Sequence, residues 1–278
     1  MTDNSKVKER EEMAQKILKD APKLKKDDEF NFACQPGIAC FNKCCRDVNI
    51  VLTPLDILRM ARRLEMTTTD FLTKYTFVPF SEEQKLPFVF LKMDEENEKR
   101  CYFVADEGCQ VYEDRPWPCR MYPVGQASPS GDTGDEEFFF MMQEDHCKGH
   151  EESKVWTIQG WMDDQGVEEY EEMGKLFREI LLHPYLSARP LDPPHMEMFY
   201  MASYDLDKFR QFVTKDKFLK RFRIDPELVE KLRSDDMEMM RFAFRWLRFA
   251  LFGEMTIELN EDLLSEREKD MVKNKIKR

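Results

Sequence analysis

The residues in this chain best suited to chemistry are its eight cysteines: Cys34, Cys40, Cys44, Cys45, Cys101, Cys109, Cys119 and Cys147. All lie between positions 34 and 147, and the 131 residues that follow contain none. Thiolates bind metal when several sulfurs reach one point, which a chain achieves by grouping them in tight loops and bringing the loops together. The first group reads C-x5-C-x3-C-C; the second reads C-x7-C-x9-C, with Cys147 placed 28 residues further on. Neither is the C-x2-C of a zinc ribbon. Neighbouring residues point about 100° apart on a helix and to opposite faces of a strand, so one ion does not readily take both Cys44 and Cys45. Three arrangements stay open: two separate centres, two irons of one polynuclear cluster, or one thiol that is not a ligand. Eight sulfurs match two four-cysteine sites, whether iron-sulfur clusters or zinc ions.

The elements that must position these thiols follow from the surrounding pattern. The cysteine-dense stretch from Phe30 to Val48 contains Pro36 and Gly37, which suit a loop wrapped around a ligand. Thr53 as N-cap, Pro54 at the first helical position and Leu55, Leu58, Ala61 and Leu64 at helical spacing predict a helix, and a second short one runs from Thr69 to Tyr75. Pro87 to Met93, Cys101 to Val104 and Phe138 to Gln143 are short β-prone segments. From Ser153 the pattern is helical through Leu182. Pro184, Pro190, Pro193 and Pro194 read as a linker or irregular crossing. Asp205 to Arg223, Asp225 to Arg233 and Asp235 to Phe252 read as three more helices. The expectation is an α-rich α+β protein with small β segments around a cysteine cluster in the N-terminal half and a helical C-terminal region. Its divisions are a charged tail or helix over 1–29, a metal-binding domain over 30–165, a helical region over 166–260 and a charged tail over 261–278.

Composition narrows the function classes. Lys plus Arg is 43 against 55 Asp plus Glu, a net charge of −12 that does not favour nucleic acid. The opening twenty residues are charged throughout and no run of 18 apolar residues follows, which predicts a cytoplasmic protein with no transmembrane segment. In that compartment thiols stay reduced, so a clustered set reads as metal or redox chemistry more than as disulfides.

The pieces Cys34, Cys40, Cys44 and Cys45, then Cys101, Phe103, Cys109, Val111, Tyr112, Arg115, Pro116, Cys119, Arg120, Tyr122 and Pro123, resemble the YkgJ-type cysteine-cluster family of zinc- or iron-chelating domains. The likeness covers residues 30 to 150, and Cys34-x5-Cys40 is wider than the compact form of that motif. It implies metal binding, with an iron-sulfur cluster preferred here over zinc. Arg115 and Arg120 flank Cys119, where they are expected to neutralise thiolate charge and donate hydrogen bonds to sulfur. His146 and His150 flank Cys147 and keep zinc open, since imidazole is an ordinary zinc ligand; His183 and His195 carry less weight. The partner implied is another protein, either a redox partner or a client for maturation.

A more distant similarity, to flagellin lysine N-methylases, implies S-adenosylmethionine-dependent methylation of protein lysines as an alternative function. A zinc-stabilised interaction scaffold is a third. No G-x-G-x-x-G occurs, and no histidine sits in a recognisable nucleophile setting, so no catalytic residue is assigned and whether the chain is an enzyme is left open. The Met237–Phe252 segment, with Arg241, Arg245 and Arg248 on one stripe, reads as a core helix with one wet face, or else as a partner or membrane-surface helix. The eighteen methionines are dispersed and read as core filling. Nothing in the sequence sets the oligomeric state.

Overall fold

The computed structural model describes residues 21–79, 86–127, 138–188 and 190–260. The expected N-terminal helix or tail up to residue 20 and the charged tail from 261 lie outside the described residues. The described part is α-rich α+β, with short strands between Glu29 and Thr157 and, from Ile158 onward, helices.

Strand β1 (Glu29–Asn31) leads into the first cysteine loop, and β2 (Val51–Leu52) leaves it. Helix α1 (Pro54–Arg63) starts as expected. Thr53 accepts from the Asp56 amide while the Asp56 carboxylate accepts from the Thr53 amide, a reciprocal cap with Pro54 just inside it. Helix α2 (Thr68–Tyr75) is capped by Thr67, two residues earlier than Thr69, because the Thr67 hydroxyl accepts from the Asp70 amide. Strands β3 (Thr76–Phe77) and β4 (Val89–Leu91) join β2 in an antiparallel sheet with β4 in the middle.

Two small hairpins follow: β5 (Met93–Asp94) with β6 (Arg100–Cys101), and β7 (Val104–Ala105) with β8 (Gly108–Cys109). Cys101 and Val104 therefore belong to separate hairpins rather than to one segment. A five-residue helix, α3 (Trp117–Met121), carries Cys119. It leads to a longer hairpin of β9 (Val124–Ala127) and β10 (Phe138–Met141).

The segment after Ser153 departs from the helical expectation. Val155–Thr157 is strand β11, paired antiparallel with β1, and α4 (Ile158–Asp164) begins only afterwards, capped by Thr157. Gln165 and Gly166 then interrupt the helix before α5 (Glu168–Leu181). The proline-rich crossing is also largely helical, as α6 (Pro184–Ala188) and α7 (Pro193–Tyr204): Pro184 and Pro193 open helices, where a missing amide costs nothing. The expected Asp205–Arg223 helix divides into α8 (Leu206–Val213) and α9 (Asp216–Arg221). Helices α10 (Pro226–Ser234) and α11 (Asp236–Phe252) match expectation closely.

Two apolar clusters organise these elements. One runs from Leu52 on β2 through α1, α2, α5 and α7 to α11, and includes Phe71, Phe177, Phe199, Phe209, Phe242 and Leu247. The second joins Phe30 and Phe32 to Met121, Phe139, Ile158 and Trp161. Trp117 packs against both, so the helix that presents Cys119 is wedged between two cores.

The arginine stripe is the wet face of α11, with Arg245 exposed and Arg241 and Arg248 half-buried, and it is tied down by partners within the chain. Arg241 pairs with Glu172 at 2.9 Å and Arg248 with Glu179 at 3.0 Å, one heptad apart on both α5 and α11, while Arg245 donates to the Thr256 carbonyl. The core-helix reading of this segment therefore holds. Among the described residues no helix is long and apolar enough to cross a membrane.

Burial rather than these ion pairs supplies the stability of the helical half. Phe177→Ala, which empties a site stacked on Phe199 and Phe244, is expected to cost about 3–5 kcal/mol in urea unfolding. Arg241→Ala, at a half-exposed pair, is expected to cost about 0–1 kcal/mol.

Candidate metal centre

The cysteine loop from Cys34 to Cys45 has few internal hydrogen bonds and is held by its neighbours. Its first half is fixed by the turn after Cys147: the Phe32 amide donates to Lys154 O at 2.9 Å and the Ala33 amide to Gly149 O at 3.1 Å. A methyl group on Gly149 would stand 2.5 Å from the Phe32 ring and 2.7 Å from the Ala33 carbonyl oxygen, so only glycine permits this approach. The Lys148 amide donates to Cys40 Sγ at 3.1 Å. Cys34, Cys40 and Cys147 are thereby drawn to one side.

The second half of the loop leans on the hairpins. Asn42, in the left-handed region at φ 64°, donates from its side chain to Ala105 O at 3.0 Å, and Phe41 lies against Gly108 in the β7–β8 turn. Cys44 and Cys45 form a short 3-10 turn, after which Arg46 bridges to Arg100 and the Asp47 amide donates to Lys99 O at 3.0 Å. This places Cys45 beside Cys101, and the β7–β8 hairpin folds Cys109 back toward Cys101.

Cys119 is positioned by a carboxylate that the sequence reading did not single out. Asp56 is fully buried, and besides capping α1 its Oδ1 accepts from the Trp117 amide at 2.7 Å. One side chain thus starts two helices. The signal available in the sequence was its place three residues after the Thr53 cap.

Arg115 and Arg120 are both buried. Arg120 donates to the carbonyls of Arg115 (3.1 Å), Gln165 (2.6 Å) and Glu113; Arg115 donates to Tyr112 O and Gln165 Oε1. In place of the expected hydrogen bonds to sulfur, the two guanidinium groups donate to four carbonyls of the turns around residues 112–115 and 165 and to Gln165 Oε1, because these turns leave buried carbonyls that no ladder satisfies. Their charge still bears on the thiols: Arg115 lowers Cys109 and Cys34, in each case against larger effects of burial.

Electrostatics report which sulfurs share an environment. Burial, followed by Cys44, Cys40 and Cys147, pushes the Cys34 thiol up to about 11. A hydrogen bond from Cys45 brings Cys44 down to about 7 and holds Cys45 far above the ordinary thiol range, with Cys101 and Cys119 adding to that rise. Burial also raises Cys101, Cys109 and Cys119, the last with added effects from Cys101, Cys109, Asp56 and Cys44. All eight are free thiols. Among the described residues no three His, Cys, Asp or Glu side chains are gathered tightly enough to hold an ion, so the sulfurs lie within one another's field rather than at coordination distance.

The remaining site candidates are placed less favourably. His150 Nε2 is 3.1 Å from Met142 O, His146 faces Glu144 at 3.4 Å, His195 pairs with Asp192 and His183 stacks on Phe252. A concave site of about 490 Å³ elsewhere on α1 is lined by Arg59, Arg62 and Arg63 but by no cysteine; these arginines are paired with Asp114, Glu169, Asp207 and Asp236.

The donor set fits a soft or borderline metal. Sulfur is the shared donor of both loops, and thiols held protonated by burial and by one another would be released to bind by a cation. The Tyr122 hydroxyl is buried beside Cys147, and burial followed by that thiol raises it above the ordinary phenol range.

The fold and site thus define a cysteine-cluster region built of small hairpins and short helices against a helical core. Residues 33–148 match the CxxCxxCC family model, described as "Putative zinc- or iron-chelating domain". No curated protein and no solved structure matches the chain.

Two expectations follow from the supporting groups. Burial raises the Asp56 carboxyl from 3.8 to about 6 against the amides of Thr53 and Trp117 and the Arg120 charge. A raised carboxyl favours the folded state while protonated, so its contribution is present below about pH 4 and is lost as pH rises through about 6. Relative to Asp56→Asn, the wild-type protein is expected to lose on the order of 3 kcal/mol of unfolding free energy between those limits. Arg120→Lys, which cannot serve three carbonyls at once, is expected to cost about 3 kcal/mol by the same assay.

Proposed function

We propose that the eight cysteines hold metal as thiolates, and that the bound group is an iron-sulfur cluster rather than zinc. The observation that carries this reading is the convergence of two sequence-distant thiol groups on one partly buried region, where no histidine is turned toward sulfur. Four thiolates per centre are the ordinary ligand set of an iron-sulfur cluster, and a cluster would supply one-electron chemistry there. The chain's own part is to keep the thiols close, screen them from water with Trp117, Met121 and Tyr122, and bias their charge with buried Arg115.

Such a centre suits electron transfer with another protein or the maturation of a client. The reading places the working protein in a reducing compartment, where thiols remain available to metal. Zinc bound by the same sulfurs would make the domain a scaffold instead.

Purification without oxygen followed by iron, zinc and acid-labile sulfide analysis of one sample decides between these. The expected result is iron with about equimolar sulfide, roughly four of each for every four-cysteine centre, and a brown protein absorbing in the visible. Zinc without sulfide overturns the iron-sulfur assignment, and a metal-free folded protein overturns metal binding altogether.

A further inference from the structure

We propose that the concave site on α1 binds a free α-amino acid with an apolar side chain, through Glu65, Arg63 and an apolar lining. The proposal is independent of the cysteines and of the metal-binding reading. The site has a volume of about 490 Å³, within the range that small-ligand sites occupy. Its apolar lining comes from Leu55 and Leu58 of α1 and from Met237 in the first turn of α11.

Glu65 stands where glycine is the usual residue. Leu64 ends α1, the Glu65 amide donates to Arg62 O at 3.0 Å and the Met66 amide to Ala61 O at 2.9 Å. These paired bonds are those of a helix end that throws its next residue into the left-handed region. Glu65 adopts that conformation at φ 54°, at a backbone cost that glycine would not incur. Its negative charge also lies at the negative end of the α1 dipole. The carboxylate is exposed, lines the cavity and has no hydrogen bond or ion pair among the described residues. The fold thus gains nothing from this side chain, whereas an ammonium group in the cavity would.

Arg63 supplies the opposite charge. Its Nε donates to Asp114 Oδ2 at 2.5 Å, which sets the direction of the guanidinium and leaves the terminal nitrogens without a partner among the described residues. A free fork of this kind suits a carboxylate. The other arginines of the site are already engaged, Arg62 with Asp207, Asp236 and Met66 O, and Arg59 with Asp114 and Glu169. The cavity therefore offers one unpaired carboxylate, one open guanidinium fork and an apolar surface. An α-amino acid carries the complement: its ammonium group meets Glu65, its carboxylate meets Arg63, and its side chain lies against Leu55, Leu58 and Met237. A ligand that was only anionic would face Glu65, and one that was only cationic would face Arg63.

Titration calorimetry of the full chain with leucine, methionine and phenylalanine tests this, and at least one of them is expected to bind. N-acetylation or methyl esterification of that amino acid removes one charge each, and either is expected to weaken binding by about tenfold or more. These ligands are tested on the wild-type chain and need no variant to fold.

Glu65→Gly separates binding from folding, because glycine is favoured at this backbone position. The variant is expected to keep or raise the melting temperature while affinity falls by about tenfold or more. Arg63→Gln, at a half-exposed side chain, is expected to lose affinity to a similar extent with the fold retained. Absence of binding by all three amino acids, undiminished binding of either capped form, or undiminished binding by Glu65→Gly overturns the proposal.

Discussion

Mutual repulsion among thiolates in a partly dehydrated site is the constraint on which the arrangement of this protein depends. Unit charges a few ångströms apart interact by several kcal/mol at the effective dielectric of a protein surface. A chain that gathers eight thiols must therefore keep most of them protonated or supply positive charge. The raised Cys34, Cys101, Cys109 and Cys119 show the first response, with burial as the leading cause. Arg115, near enough to lower Cys34 and Cys109, supplies a small part of the second. A cation at the sulfurs would supply the remainder.

Keeping mutually repelling groups together requires an architecture that does not depend on their attraction. The N-terminal half meets that need with short hairpins and turns whose ends are tied to better-packed elements. The β1–β11 pairing holds one end of the cysteine loop, the three-stranded sheet continues from the other, and Trp117 is pinned between two apolar clusters. The helical half contributes the larger of these clusters, in which α11 packs on α5, α7 and α8. Buried Arg120 serves the same purpose by spanning three carbonyls that the turns leave over. Its use as a backbone clamp rather than a sulfur donor follows from the cost of a buried unsatisfied carbonyl, which exceeds the gain from a bond to sulfur.

Much of the fold was legible because it rests on local rules. The Thr53 cap with Pro54 and the Asp235 cap of α11 are short-range signals, and both helices begin where those residues predict. The failures share a long-range cause. Val155–Thr157 is a strand because β1, more than 120 residues earlier, is available to pair with it, and its own residues do not reveal that partner. Pro184 and Pro193 read as breakers because proline stops a helix from inside yet is favoured at its first turn, and only the downstream packing of Leu186 and Phe199 decides which applies. Asp205–Arg223 divides because burial of both Phe209 and Phe218 is served by two short helices rather than one straight one.

The candidate site was legible in its residue types and illegible in its grouping. Spacing along the chain says that one ion does not readily take both Cys44 and Cys45, but it does not say what each half of their loop lies against. That information lies in contacts such as Lys148 to Cys40 and Arg46 to Arg100, which link residues 108 and 54 positions apart. The same reasoning explains why Asp56 escaped notice, since a capping carboxylate one turn into a helix is ordinary until a second amide 61 residues away is found on its other oxygen. Cysteine content announces that a chain can bind metal. The hydrogen bonds of the cysteine loop set where those thiols lie, because its first half is tied to the turn after Cys147 and its second half to the hairpins.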